Sequence, residues 1–379
     1  MDLRRDNPDL RDPGILHHRS LPHPCILCLS GCRNSFGLVG KRRHPAALHL
    51  LYICRDCAKP AGLSFRFEFI MKQYPGTQVT VTGATGFTGR FITEALLENG
   101  FQVRSLVSRL DREDPFGGRV EYQAYQFHDF EGLVKKLKGS RALVNTYWVR
   151  FNRSEVTFDS AVRNSQTLFS AAREAGVERI VHISVSNPSP DPKLPYFRGK
   201  WQVEQELEAQ RIPYTIIRPT LIYGAGDILI NNIAYLLRRL PFIGIPGDGK
   251  YRIQPVYARD LAELAHQAIQ AAGNQVFDAA GPEVYEYKEL IRLIASAIGA
   301  NPRLFHLPPG LASFLGKILG WSLGDVLITQ DEIRGLMANK LVSNQPPLGS
   351  SSFRDWLFKS SSQLGTRYTS ELARNFKQK

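Results

Sequence analysis

Val79-Thr-Val-Thr-Gly-Ala-Thr-Gly-Phe-Thr-Gly-Arg90 reads as a β-branched strand running into glycines at 83, 86 and 89 and then into a helix. The strand ends in a turn where Gly83 can take a backbone conformation barred to other residues. Gly86 lets the main chain approach a pyrophosphate without a Cβ in the way, and Gly89 lets the helix pack close to the strand. The helix, expected from about Thr88 to Asn99 with Gly100 as its stop, points its unpaired N–H groups and positive dipole end at phosphates. A second strand at Gln102 to Val107 supplies the context that three glycines alone lack. The turn therefore predicts a dinucleotide held beside Gly83, Thr85, Gly86, Phe87 and Gly89.

Outward from this turn, apolar strands alternate with helix-period segments in the order of an α/β fold, a doubly wound parallel sheet (Rossmann) with a smaller C-terminal substrate lobe. Strands are expected at 78–82, 102–107, 120–124, 142–146, 179–184 and 214–218, and helices near 88–99, 130–138, 157–175 and 197–210. The chain divides into an N-terminal extension (1–70), a nucleotide-binding body (71–300) with lobe insertions near 224–250, a helical C-terminal lobe (301–345), and a linker with a surface helix (346–379). The lobe is expected to contain a helix at 228–239, a turn-rich stretch at 241–249, an amphipathic helix at 286–299 and apolar helices over 308–338. Phe314 and Trp321 are available there to line a cavity, although core packing is the commoner role of such residues.

The chain has 379 residues, 43% hydrophobic and 22% charged, enough for a large buried core. Its net charge of +13 favours acidic partners, and a dinucleotide is one, so nucleic acid is not required. No apolar run reaches the length of a membrane span. Leu307 to Thr329 comes nearest but is interrupted by Lys317 and Asp325, which leaves peripheral membrane or protein-complex contact as the alternative to a core helix pair. All five cysteines lie in the first 60 residues, so the body contains none, in keeping with a reducing, cytoplasmic setting. Cys25, Cys28, Cys54 and Cys57 have zinc-ribbon spacing. Neither pair has a following glycine, however, and the segment between them lacks strand alternation. Residues 1–70 are therefore read as a disordered or non-native extension before a working start near Met71, with a zinc module as the alternative; no metal site is assigned.

Arg109 lies 20 residues past Gly89, where an NAD-selective site usually places a carboxylate for the ribose hydroxyls. A cation there suits a 2′-phosphate, so NADP is expected over NAD, with Asp111 keeping NAD open. Tyr196-Phe-Arg-Gly-Lys200 sets a phenol and an ammonium on one helix face. A nearby cation favours the phenolate of a group whose free pKa is ~10 and brings it toward proton exchange with a carbonyl or alcohol. The pair follows a strand whose C-terminal edge carries Ser184 and Ser186, where ligands gather in such sheets.

With these motifs together, the chain from about Met71 to about Gly299 resembles the short-chain dehydrogenase/reductase superfamily, in its extended or atypical branch of NAD-dependent epimerase/dehydratase type. Four motifs carry the resemblance: the glycine turn, the strand-end serines, Tyr196-x-x-x-Lys200, and Ile217-Arg-Pro-Thr-Leu-Ile-Tyr-Gly224. Gln254-Pro-Val-Tyr-Ala-Arg-Asp260 is similar to a further stretch of the extended branch. The resemblance implies Tyr196 as general acid/base, Lys200 holding the ribose hydroxyls, and Ser186 orienting a substrate carbonyl, with Ser184 as the other register. It implies Asn164 as a support of the active site, Asp129 at the adenine amine, Asn145 along the cofactor edge and Pro219 beside the nicotinamide. Asp129 also reads as an ordinary helix N-cap, and Asn164 as a polar helix residue.

Three features depart from the pattern. Gly199 replaces the usual Ser or Thr, only nine residues separate Ser186 from Tyr196, and Asn145-Thr-Tyr-Trp-Val149 is bulky. In these the chain resembles the atypical group that includes the nucleotide-binding accessory subunit of respiratory complex I. The expected activity is that of an NADP-preferring oxidoreductase or epimerase, hydride transfer with a Tyr/Lys proton relay on an unidentified small molecule. The alternative is a non-catalytic NAD(P)H-binding accessory or redox-sensing subunit that acts through a protein partner.

Overall fold

The computed structural model describes residues 76–375 except residue 112. The cysteines at 25, 28, 54 and 57, the extension that carries them and Met71 lie outside the described residues. The body runs β1 (Gln78–Thr82), α1 (Phe87–Glu98), β2 (Gln102–Val107), β3 (Val120–Ala124), α2 (Phe130–Leu137), β4 (Ala142–Asn145), α3 (Phe158–Glu174), β5 (Arg179–Ile183), α4 (Pro195–Ala209) and β6 (Tyr214–Pro219). It continues through β7 (Leu221–Tyr223), α5 (Ile228–Arg239), β8 (Phe242–Pro246), β9 (Arg252–Ile253), β10 (Pro255–Tyr257), α6 (Ala258–Ile269) and β11 (Gln275–Ala279). The rest is β12 (Tyr285–Glu286), α7 (Tyr287–Ala297), β13 (Arg303–Leu307), α8 (Pro309–Leu323), α9 (Gln330–Met337), α10 (Phe353–Ser360) and α11 (Glu371–Asn375).

Seven strands form one parallel sheet in the order β11-β6-β5-β4-β1-β2-β3. The chain reverses direction between β1 and β4, and the crevice beyond their C-terminal ends is where a doubly wound sheet takes its ligand. The central strands are apolar because both faces are covered: α1 and α6 bury Val79, Val81, Ile92 and Leu261 on one side. On the other side α2, α3 and α4 bury Leu133, Leu143, Leu168 and Leu207. β11 is the strand the sequence pattern does not announce. It is a sheet edge with Val276 exposed and Asp278 buried, so its apolar pattern is broken.

The C-terminal lobe has its own core around Tyr223, Ile230, Leu290 and Phe353. Two expectations change there. Residues 346–352, read as a linker, are fastened down: Asp260 accepts the amides of Ser350 and Ser351 at 2.8 Å each and the Ser351 hydroxyl at 2.7 Å. Helix α10 beyond them is a surface helix, as expected, that buries one face through Phe353 and Leu357. Phe314 and Trp321 face solvent; Leu315, Ile318 and Leu319, one helix face round, line a cavity instead. Among the described residues no helix is long and apolar enough to cross a membrane.

Candidate functional site

The glycine turn sits at the switch point. Gly83 has φ +69° and its amide donates to the Leu106 carbonyl at 2.8 Å, tying the turn to β2. The Gly86 amide donates to the Gly83 carbonyl at 2.8 Å, and Gly86 begins α1 with no side-chain cap and no acidic residue in the first turn. The helix's positive end is therefore left to a ligand. A Cβ on Gly89 would stand 2.1 Å from the Gly83 carbonyl oxygen, so strand and helix meet here only through glycine. The turn borders a cleft of about 160 Å3 whose walls include Thr85, Ser108, Tyr125 and Tyr147. Main chain open to a pyrophosphate, an uncompensated helix end and a cleft across the switch point fit a dinucleotide.

Around this cleft the other cofactor candidates separate. Arg109 follows β2, is partly buried, and stands 3.8 Å from Asp111. Asp129 is exposed and caps α2 by accepting the Gly132 amide at 2.9 Å. Asn145 is fully buried: its Oδ1 accepts from Thr82 Oγ1 at 3.0 Å and its Nδ2 meets His182 Nδ1 at 3.1 Å. It thus braces β1 against β4 and β5 beneath the turn. Pro219, buried at the end of β6, accepts the Ser186 amide at 2.8 Å.

Tyr196 and Lys200 both lie in the first turns of α4, and their surroundings differ from the expected relay. Lys200 is buried; its Nζ donates to the Ile183 carbonyl at 2.8 Å and lies 4.8 Å from the Trp148 ring centre. Burial brings its ammonium down to about 7, partly opposed by Glu204. Tyr196 packs edge-on against Trp148 and Phe158. Burial, aided by Glu332, pushes its phenol well up, against a smaller opposing effect of Arg150. Neither serine turns toward it. Ser184 donates to Glu204, itself paired with Arg218 at 2.6 Å, and Ser186 donates to the Lys340 carbonyl at 2.7 Å. Asn164 donates to the Tyr147 hydroxyl at 2.9 Å.

The sequence pattern of the NAD dependent epimerase/dehydratase family matches residues 79–280, more than half of the chain. The chain belongs to that family. Among relatives of this family member, NADH dehydrogenase (ubiquinone) 1 alpha subcomplex subunit 9, mitochondrial, of Mus musculus is 26% identical over 286 residues, 72% of this chain and 74% of the relative. Ceramide reductase of Caulobacter vibrioides is 28% identical over 250 residues, 64% of this chain and 78% of the relative. The structure of Citrobacter sp. triphenylmethane reductase complexed with NADP(H) superposes with a TM-score of 0.62 over 75% of this chain and 99% of that one. At 17% identity that likeness speaks for the fold alone.

In this epimerase/dehydratase-family member, sequence reasoning missed Trp148 as the residue that organises the site. Its ring stacks on Phe158, abuts Tyr196 and lies against Lys200. A Cβ on Gly199 would come within 2.7 Å of it, which explains the glycine where the family usually has Ser or Thr. Also missed was Arg150, which joins the site to the helical lobe by donating to Glu332 at 2.7 Å. The bulk of Tyr147-Trp148 was the available signal; its partner at 199 lies across the fold.

Proposed function

We propose that this chain binds NADP(H) at the glycine turn and holds it as a fixed group, a nucleotide-bearing subunit whose relay residues serve structure instead of turnover. The observation that carries this reading is the commitment of Lys200 and of both strand-end serines to other partners. Lys200 is spent on the Ile183 carbonyl and Trp148, Ser184 on Glu204, and Ser186 on the Lys340 carbonyl. Gly83, Gly86 and Gly89 would hold the pyrophosphate, and Arg109 the 2′-phosphate. The relative whose name is that of an NADH dehydrogenase subunit supports the same role.

A second reading, a reductase, is favoured by one observation. Tyr196 stands one helical turn before Lys200 at the start of α4, the spacing at which a phenol can pass a proton to a carbonyl oxygen under reduction. Bound NADPH would supply the hydride. Titration with NADPH and NADH, followed by absorbance at the reduced nicotinamide band with aldehydes, ketones and quinones, separates the two. The holding role predicts saturable binding, no sustained oxidation, and unchanged NADPH affinity in Tyr196→Phe. Sustained oxidation that disappears in Tyr196→Phe overturns it in favour of the reductase.

A further inference from the structure

The C-terminal lobe encloses a cavity of about 710 Å3. That volume lies within the ~300–1,000 Å3 range of sites that enclose small ligands. Its wall is aliphatic: Ile233 and Leu236 of α5 and Leu240 just after it line it together with Leu315, Ile318 and Leu319 of α8. Leu315 and Ile318 are 43% and 49% exposed while lining it, so the apolar wall continues out to the surface as a mouth. A sugar or nucleotide would find few hydrogen-bonding partners along such a wall, whereas an aliphatic chain would release water from it.

The charged residues of the lining are three carboxylates, Asp227, Glu332 and Glu371, and two guanidiniums, Arg150 and Arg374. Arg150 donates to Glu332 at 2.7 Å and to Glu371 at 3.5 Å, and Arg374 donates to the Gly226 carbonyl at 2.8 Å. Asp227 caps α5 through the Leu229 and Ile230 amides. A lipid carboxylate or phosphate would enter beside three carboxylates whose cationic neighbours are already engaged, and would lose its hydration without gaining a partner. An uncharged amide, carbonyl or hydroxyl avoids that penalty and can still hydrogen-bond. We propose that this cavity binds a lipid made of one long aliphatic chain with an uncharged polar head, the chain between α5 and α8 and the head toward Arg150 and Glu332. Phe87 of the glycine turn also lines the cavity, so the lipid and dinucleotide sites adjoin. The lipid assignment stands whether or not the nucleotide is turned over.

Nile red bound to the full chain provides the test, displaced in parallel by N-palmitoylethanolamine, decylubiquinone and palmitate. The expected result is displacement by the uncharged lipids and at least about tenfold weaker displacement by palmitate. The stronger of the two neutral arms identifies the source as an acyl amide or a quinone. Ile318→Glu, at the exposed mouth, is expected to weaken the neutral lipid by about tenfold or more while NADPH affinity is unchanged. Leu319→Trp, which fills the interior, should do the same. Palmitate displacing as well as the amide, displacement by neither neutral lipid, or wild-type lipid binding in both variants overturns the proposal. NADPH titration of the same samples reads the dinucleotide site separately, so failure of one assignment is distinguishable from failure of the other.

Discussion

At the scale of single residues, Lys200 and Arg109 are the two cations whose surroundings make measurable claims. Burial holds Lys200 near 7, below its value of ~10.4 in an unfolded chain. Between those values the unfolded state binds more protons, so this residue's contribution to stability is full above about pH 10 and is lost as pH falls through 7. Lys200→Met removes the titration. Relative to wild type it should gain stability between pH 9.5 and pH 7 by roughly 1.4 kcal/mol per unit of displacement, read from urea melts at the two values. A difference independent of pH would show that the ammonium keeps its ordinary affinity for a proton. Arg109 stands 3.8 Å from Asp111, too far for a strong bond to hold it there. Arg109→Ala should therefore weaken NADPH by about tenfold, the worth of a charge-assisted bond, and leave NADH nearly unchanged. Equal losses would remove the 2′-phosphate assignment.

At the scale of elements, the packing of α4 on Trp148 decides what Tyr196 and Lys200 can do. Gly199→Ala places a methyl 2.7 Å from the indole and should cost about 1–3 kcal/mol by overpacking. In a Trp148→Leu background the same change should cost nothing or gain up to ~1 kcal/mol from helix propensity. A double-mutant cycle in thermal melts checks this; equal costs in both backgrounds would free Gly199 from Trp148. This contact also marks the limit of what sequence reading reaches. β1 to β6 and their helices are legible to within a residue or two because apolar period and the glycine stops are local signals. The glycine turn is legible for the same reason. The orientation of Ser184 and Ser186 is not, because their partners Glu204 and Lys340 come from elements that only the fold brings near. Asp129, where two readings stood side by side, shows the simpler one as its observed contact: an N-cap over Gly132.

At the scale of the whole molecule, residues 350–372 close the C-terminal lobe through carboxylates instead of apolar contacts alone. Asp260 holds Ser350 and Ser351, Glu283 accepts the Phe353 amide at 2.7 Å and the Ser352 hydroxyl at 2.9 Å, and Asp325 accepts the Tyr368 hydroxyl at 2.7 Å. Read one-dimensionally, Pro346-Pro-Leu-Gly-Ser-Ser-Ser352 has the composition of a linker, since nothing local reveals an acceptor some 90 positions upstream. Asp325 likewise reads as a break in an apolar run, yet it is buried and also accepts the Glu371 and Leu372 amides. Removing one clamp should therefore loosen a segment far from it in sequence. Asp260→Ala leaves two amides and a hydroxyl without their carboxylate and should cost roughly 2–4 kcal/mol. Limited proteolysis of that variant should cut first within residues 346–352, because the strap is released before the sheet opens. Asp260→Asn, which keeps one acceptor oxygen, should fall between the two. Cleavage that begins in the glycine turn or in α1 instead would show that the tail is held by α10 alone, with Phe353 and Leu357 sufficient to anchor it.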